Sequence, residues 1–470
     1  MPLWAARFFC REHTAGRVEK ANELMGRIAD LEDSQTALLL LRHCAAYSKV
    51  AYSARAVPPS LHSAALSKMD EYVRDCFAAV ARFEPDDVSW AQAQLSVQKG
   101  GLGLRSAERH APAAYVGSRL QFNELCTEVD RSFPSAPAQE PWFNASVLEL
   151  DRELGSSAPP LAELGTSGCQ KLLSDLLDDA AYKTLFDSPA SSTAFKAHLQ
   201  LLQQPGAGSW LHCYPCEQVG TAIPTPLMSI ALQRRLRCQV APASFFCPFC
   251  AGTMDPFGDH ALVCPCRGDR TKRHNLLRNL TFFALGAAGL NPDLERPGLL
   301  PPRMEFEGPH EHDQFAGSGL RRPADVFVPR WRDGFPAALD FAVTSGLRTD
   351  VVERVANSGS VAVQEYEQRK SSHLNTANLC ANEGFSFIPL VVEAHGGGWG
   401  LEARRAFSNL ALRASAASGN SSSEVSDKLT QRLSCLLHRE NARAVLLRLP
   451  GWTASHDAAS LEAASALSAG

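Results

Sequence analysis

The chain has 470 residues, and a length of this order corresponds to about three domains. Apolar residues make up 45% and charged residues 20% of it, a composition that excludes a wholly disordered chain. The net charge of −4 excludes a uniformly basic nucleic-acid coat protein, although a local basic groove stays compatible with it. No apolar run approaches the ~20 residues that span a bilayer, and the first residues do not resemble a secretory signal. We therefore expect a soluble intracellular protein with no membrane partner.

The N-terminal part of the chain predicts a helical domain over residues 1–128. Apolar residues recur at helical spacing between 17 and 82. Asp33 lies where an N-cap is expected, and Pro58 interrupts the pattern because proline cannot continue a helix. We interpret this region as a helical packing unit.

A glycine-rich motif, WAQAQLSVQKGGLGLRSA, follows these helices. Its glycines, Gly100, Gly101 and Gly103, have a spacing that fits neither a dinucleotide-binding loop nor a Walker loop. A turn between helices is therefore the favoured interpretation, and a phosphate site is the alternative.

The remainder of the chain divides by composition into a helical connector, a cysteine-rich segment, an α/β core and a C-terminal helix. Proline, serine and glycine mark the linkers between them. The predicted boundaries are 129–165 for a linker, 166–240 for the connector, 241–270 for a zinc knuckle, 271–413 for the core, 414–427 for a flexible linker and 428–470 for a helix with a frayed tail after Trp452.

The most specific local motif is Cys247-Pro-Phe-Cys250 followed by His260 and Cys264, with the pattern C-x2-C-x9-H-x3-C. Three thiolates and one imidazole meet the tetrahedral preference of Zn²⁺. Because all four ligands come from protein, we expect a structural rather than a catalytic zinc ion.

Two other ligand sets stay open. In the first, Cys213 and Cys216 join the CPFC cysteines in a four-cysteine site, which leaves His260 and Cys264 without a role. In the second, Cys266 replaces Cys264. The simplest alternative is that these cysteines are buried free thiols.

The charge around this motif differs from that of the whole chain. Residues 228–290 contain eight basic and three acidic side chains, a net charge of +5. Such a run is usually a solvated face, but beside a zinc knuckle it also predicts phosphate binding. The candidate nucleic-acid-binding residues are Arg267, Arg270, Lys272, Arg273 and Arg278.

The segment RRPADVFVPRWRDGFPAALDFAVTS has the pattern of a β-hairpin, and each predicted strand carries an aspartate, Asp325 or Asp340. If Trp331 lies opposite Gly334, with the turn at Arg332 and Asp333, then Asp325 lies opposite Asp340. Two carboxylates at ~5 Å repel each other, whereas a divalent cation between them removes this cost. Oxygen ligands favour Mg²⁺ or Mn²⁺. The alternative is that one aspartate faces solvent or caps a turn.

The next predicted helix, SVAVQEYEQRKSSHL, places Tyr366 and Lys370 on one face. A lysine there could orient or deprotonate a water molecule near the cation, although a solvated surface lysine is the simpler interpretation. The strand FSFIPLVVEA and the helix LEARRAFSNLALRA follow, so the element order predicts an α/β core.

Together, CPFC…GDHALVC, DRTKRHNLL, RRPADVFV, AALDFAVTS and YEQRK resemble the C-terminal region of site-specific non-LTR retrotransposon proteins. The resemblance implies a zinc knuckle followed by a restriction-like endonuclease of the PD-(D/E)XK superfamily. It assigns Mg²⁺ binding to Asp325 and Asp340, and a displaced catalytic lysine to Lys370. Glu295 would be an auxiliary acid.

Two positions depart from that family pattern. The usual Pro-Asp pair is Pro323-Ala324-Asp325 here, one residue longer, and Ala342 stands two residues after Asp340, where the family has lysine.

LEDSQTALLLLRHC and GGLGLRSA resemble the thumb region that follows a reverse transcriptase palm. The palm's aromatic-x-Asp-Asp turn has no counterpart, because Asp86-Asp87 and Asp178-Asp179 lie in loop-like and helical contexts. No polymerase activity is expected.

The fold expected from the sequence is a multidomain α and α/β protein: a helical N-terminal half, a small zinc knuckle and a restriction-endonuclease-like core. The expected activity is Mg²⁺-dependent nicking of DNA. The alternatives are a non-catalytic remnant that binds DNA or RNA and a zinc-organised scaffold for protein partners. An enzyme acting on genomic DNA would be nuclear.

Overall fold

The computed structural model describes residues 3–160, 163–165, 167–302 and 321–451. The chain forms two compact units, Met1–Ser191 and Ser192–Gly470. The predicted tail after Trp452 lies outside the described residues. Within them, no helix has the length and hydropathy needed to cross a membrane.

The described part of the first unit is helical. Its α-helices are α1 (Leu3–Ala29), α2 (Ser34–Leu40), α3 (Ala51–Ala56), α4 (Ser63–Ala81), α5 (Asp87–Gln94), α6 (Ala107–Val129), α7 (Pro141–Leu154) and α8 (Cys169–Asp187).

Local sequence explains the start of α2 and the turn after α5. The Asp33 side chain accepts hydrogen bonds from the backbone N–H groups of Gln35 and Thr36, which confirms it as an N-cap. In the glycine-rich motif, Gly100 and Gly103 have φ of 91° and 74°. A Cβ on Gly101 would lie 2.1 Å from the Leu95 carbonyl oxygen, so backbone packing explains this glycine.

The segment predicted as a linker, 129–165, contains a helix instead. In α7, Phe143, Leu150 and Leu154 are buried with apolar residues of α6 and α8. The proline and serine content of the segment marks its ends, since Pro141 occupies the first turn of α7, where the missing N–H has no helical partner.

The second unit combines a four-stranded sheet with helices. Its helices are α9 (Thr193–Leu202), α10 (Thr225–Arg235), α11 (Asp259–Val263), α12 (Asp269–Ala287), α13 (Val352–Asn357), α14 (Val361–Ser372), α15 (Thr376–Asn382), α16 (Leu401–Ser418) and α17 (Ser422–Leu446). Its strands are β1 (Phe245–Phe246), β2 (Thr253–Met254), β3 (Asp293–Leu294), β4 (Val326–Arg332), β5 (Phe335–Thr344) and β6 (Ser386–Glu393).

The predicted flexible linker over 414–427 is therefore mostly helical. Helices α16 and α17 are separated only by 419–421, and Gly419 ends α16 in the left-handed conformation with φ of 75°. The predicted knuckle and core also lie in the same compact unit.

The four strands have the order β3-β4-β5-β6, and β5 is antiparallel to β4 but parallel to β6. One face of the sheet packs against α12, α16 and α17. Residues of α14 and α15 pack against the other face. This three-layer arrangement agrees with the helical plus α/β class expected from the sequence.

Candidate metal centre and adjacent acidic site

Four side chains of the second unit converge in a Cys3His group. The ligand atoms of Cys247, Cys250, His260 and Cys264 all lie within 4.8 Å of one another. The Cys250 and Cys264 Sγ atoms are 3.6 Å apart, the Cys247 and Cys264 Sγ atoms 4.0 Å apart, and Cys250 Sγ lies 3.2 Å from His260 Nε2. A tetrahedron with ~2.3 Å zinc–sulfur bonds has sulfur–sulfur edges of ~3.8 Å, so the group fits structural zinc.

Short elements bring these ligands together. The hairpin of β1 and β2 carries the two CPFC cysteines, α11 carries His260, and Cys264 follows α11 directly. Asp255 shapes the entry to α11, because its carboxylate accepts hydrogen bonds from the backbone N–H groups of Phe257 and His260.

The thiol group of Cys247 has an altered proton affinity. Burial opposes the thiolate, but hydrogen bonds from the backbone N–H groups of Phe249 and Cys250 and from His260 outweigh it and lower the pKa of Cys247 to about 6. The thiolate is the form that binds zinc.

The competing ligand cysteines have other neighbours. Cys213 is buried and shares a hydrogen bond with the Cys435 thiol, and Cys216 Sγ lies 3.1 Å from Gln218 Oε1. Among the described residues, neither of them nor Cys266 belongs to the metal-ligating group.

Replacing Gly252 with alanine should weaken zinc binding. A Cβ at this position would lie 2.6 Å from His260 Cε1 and 3.3 Å from Cys250 Sγ, so the imidazole would have to move away from the thiolates. We expect zinc affinity, measured by competition with a chromophoric chelator, to fall by about tenfold or more. The matched control is Gly286→Ala in α12, where a Cβ would meet nothing within 4 Å, and equal affinities in the two variants would contradict the expectation.

The β4–β5 hairpin brings the two candidate acids together. Val326 pairs with Leu339, and the Asp325 backbone N–H donates to the Leu339 carbonyl at 3.0 Å, so Asp325 lies at the level of Asp340. Backbone pairing between β4 and β5 ends at Val326 and Leu339. The Asp325 Oδ2 atom continues it by accepting a hydrogen bond from the Phe341 backbone N–H at 2.7 Å.

The two carboxyl groups have different proton affinities. Burial, reinforced by the negative charge of Asp325, raises the pKa of Asp340 to about 6. Burial also opposes ionisation of Asp325, but hydrogen bonds from His274 and Phe341 outweigh it and hold its pKa below the usual value. A divalent cation beside them would favour ionisation of both.

Lys370 on α14 reaches this acid pair. Its Nζ lies 2.7 Å from Asp340 Oδ2. Burial opposes the positive charge, but the Asp340 carboxylate raises the pKa of Lys370 above its usual value. The side chain is therefore an ammonium donor, suited to orienting a water molecule or a phosphate oxygen rather than to removing a proton.

A groove of about 560 Å³ lies between α12 and α14, and two of its lining residues, His274 and Lys370, contact the acid pair. Arg270, Thr271 and His274 line it from α12, and Tyr366 and Lys370 line it from α14. The predicted shared face of Tyr366 and Lys370 is thus turned to the groove.

The five basic candidates lie in different environments. Arg267 and Arg270 are exposed, and Lys272 is half-buried. The Arg267 guanidinium lies 4.8 Å from the centre of the Phe249 ring.

Arg273, by contrast, is buried. Its guanidinium donates hydrogen bonds to Asn441 and to the Leu262 carbonyl.

Arg278 is also buried and forms an ion pair with Glu295, the predicted auxiliary acid. Glu295 pairs with Arg322 as well, and its backbone N–H donates to the Asp325 carbonyl at 2.8 Å. Two guanidiniums therefore hold the Glu295 carboxylate beside the hairpin.

Sequence reasoning missed one residue of this site, His274. It lies on α12, and its Nε2 is 3.2 Å from both Asp325 Oδ2 and the Phe341 carbonyl oxygen. Burial lowers its proton affinity, but the Asp325 carboxylate outweighs this and raises the pKa of His274. The sequence offers one weak indication of a role for His274, namely its position directly after Arg273 in the basic segment TKRHNLL.

A Ser-His-Asp cluster elsewhere in the unit lacks the chemistry of a hydrolase triad. Ser345 Oγ lies 2.8 Å from His395 Nε2, and Asp259 lies 3.5 Å from His395 Nδ1. Because Arg234 donates to Nδ1 at 3.0 Å, Nε2 carries the ring proton and cannot take one from serine. Burial also holds the pKa of His395 well below its usual value. The cluster joins α10 and α11 to the sheet.

The chain matches no known protein-family model and no curated protein.

Proposed function

We propose that this chain is a retrotransposon-derived nucleic-acid-binding protein whose second unit nicks DNA with the help of Mg²⁺ or Mn²⁺, in the manner of PD-(D/E)XK endonucleases. The observation that carries the proposal is the placement of Lys370 Nζ 2.7 Å from Asp340, with Asp325 at the same level of the hairpin. A nuclear location follows if the substrate is genomic DNA.

The donor set suits a hard cation. Among the described residues, Asp325 Oδ1 and Asp340 Oδ1 accept no hydrogen bond from protein, so each carboxylate has an oxygen available to a cation. A bound Mg²⁺ would polarise the scissile phosphate and acidify a water molecule. Lys370 would then hold the attacking water or stabilise the negative charge that develops on the phosphate oxygens.

The groove gives the substrate a place next to His274 and Lys370, the two residues that contact these acids. Arg270 is exposed at its rim, and Lys370 lies in its wall. Cationic side chains of this kind bind phosphates without sequence preference. Because Arg273 and Arg278 are buried with protein partners, the proposed contact surface consists of Arg267, Arg270 and Lys272.

The test is a supercoiled-plasmid assay with Mg²⁺. We expect Asp325→Asn and Asp340→Asn to reduce nicking to background, and Lys370→Met to reduce it by about 10²–10⁴-fold. Asp333→Asn is the matched control, because this exposed aspartate at the hairpin tip undergoes the same change of charge. Equal nicking by the wild-type protein and the Asp325→Asn variant would contradict the enzyme proposal.

Binding without cleavage is the second candidate. The ion pair between Lys370 and Asp340 favours it, since this contact occupies one of the oxygens that would hold the cation. Salt-dependent DNA or RNA binding by a chain that does not nick would support it.

A further inference from the structure

We propose that His274 is a positioning residue for Asp325, and that α12 links its position to the fold of the Cys3His centre. This inference rests on the proposed metal-dependent nuclease function. It assigns a role to a residue that contacts neither zinc nor, in the proposed chemistry, the reacting phosphate.

The contacts of His274 fix one oxygen of Asp325. The Asp325 Oδ2 atom and the Phe341 carbonyl oxygen are both acceptors, so His274 Nε2 must carry a proton and donate it to them. The Phe341 backbone N–H donates to the same Oδ2. Two donors from α12 and β5 therefore hold the carboxylate, and its Oδ1 is the oxygen available to a cation.

The residue before His274 joins the same helix to the Cys3His centre. Arg273 donates from one guanidinium nitrogen to the Leu262 carbonyl at 3.1 Å and from the other to Asn441 Oδ1 at 2.5 Å. Leu262 lies in α11 between the two zinc-ligating positions His260 and Cys264. The arginine can make both bonds only while α11 is folded.

The first residue of α12 is fixed as well. Asp269 follows Cys264 by five positions, and its carboxylate accepts hydrogen bonds from Arg443 at 2.9 Å and Arg448 at 2.7 Å. These contacts leave α12 little freedom to shift along its axis. A change in the Cys3His centre would reach His274 through the hydrogen bond between Arg273 and the Leu262 carbonyl, one residue away along α12.

The first experiment compares Mn²⁺ binding by the full chain and its variants, measured by electron paramagnetic resonance. We expect His274→Ala to weaken Mn²⁺ binding by about 10–100-fold, the usual effect of losing a residue that orients a metal ligand. His274→Gln should recover much of the affinity, because its amide nitrogen can take the place of Nε2.

The exposed His373→Ala variant is the matched control and should bind Mn²⁺ as the wild type does. If the wild-type protein nicks DNA and binds Mn²⁺ but His274→Ala binds it equally well, the positioning role is wrong. If the wild-type protein neither binds Mn²⁺ nor nicks DNA, the proposed function fails and this inference fails with it.

The link to the Cys3His centre has its own measurement, hydrogen exchange before and after zinc is removed with a chelator. We expect the backbone amides of 270–277 to lose protection together with those of α11, while those of β5 keep theirs. Unchanged protection of 270–277 after zinc loss would show that α12 is held independently of the centre.

Discussion

The Cys264→Ser variant should lose its zinc, and its second unit should unfold at a markedly lower temperature. Structural zinc sites supply about 10–16 kcal/mol of binding free energy in zinc-finger peptides, and a serine hydroxyl is a poor substitute for the buried Cys264 thiolate. We expect zinc content, measured by elemental analysis after dialysis, to fall close to zero. The unfolding of the first unit, which lacks this site, should stay unchanged.

Cys266→Ser is the matched control, two residues away. Cys266 lies outside the metal-ligating group, so its replacement should preserve both zinc content and thermal stability. Loss of zinc in Cys266→Ser with retention in Cys264→Ser would assign the fourth ligand to Cys266 instead.

The Asp269→Asn variant should lose about 3–5 kcal/mol of the free energy of unfolding of the second unit. Buried Arg448 loses the carboxylate that pairs with it, and buried Arg443 keeps only its ion pair with Glu440. The side chains of Asp269, Arg443 and Arg448 are 5%, 7% and 0% exposed. Water therefore cannot replace the lost negative charge. The measurement is the urea midpoint of the second unit's unfolding transition.

The control for this change is Glu424→Gln in α17. Glu424 pairs with Lys428 at the surface, where both side chains are about half exposed or more, so its loss should cost less than about 0.5 kcal/mol. Similar midpoints for Asp269→Asn and Glu424→Gln would show that the buried ion pairs contribute no more than the exposed one.

A hairpin turn at Arg332 and Asp333 predicted that Asp325 lies opposite Asp340, because the position of the turn sets which strand positions are opposed. The backbone register near Asp325 agrees with this prediction, but the predicted turn lies one residue too early. Asp333 and Gly334, with φ of 52° and 84°, form a two-residue turn that requires positive φ at both positions. An irregularity between Val328 and Arg332 restores the predicted register near Asp325.

The Cys3His group could also be predicted, because tetrahedral coordination of zinc by one short segment would impose a recognisable spacing. The burial and the partners of the basic residues could not be predicted from the sequence. Arg273 is buried by Asn441, 168 positions along the chain, and no local pattern reveals such a partner. His274 was missed for the same reason, because its contacts with Asp325 and Phe341 join residues 51 and 67 positions apart in the chain.

The long-range contacts of α17 have a consequence for synthesis on the ribosome. Asp269 and Arg273 take their partners from Asn441, Arg443 and Arg448, which are translated more than 160 residues later. Until these residues have left the exit tunnel, Asp269 therefore lacks both of its guanidinium partners, and Arg273 has only the Leu262 carbonyl. A stalled or truncated nascent chain would carry both acids of the hairpin without a secured helix beside them.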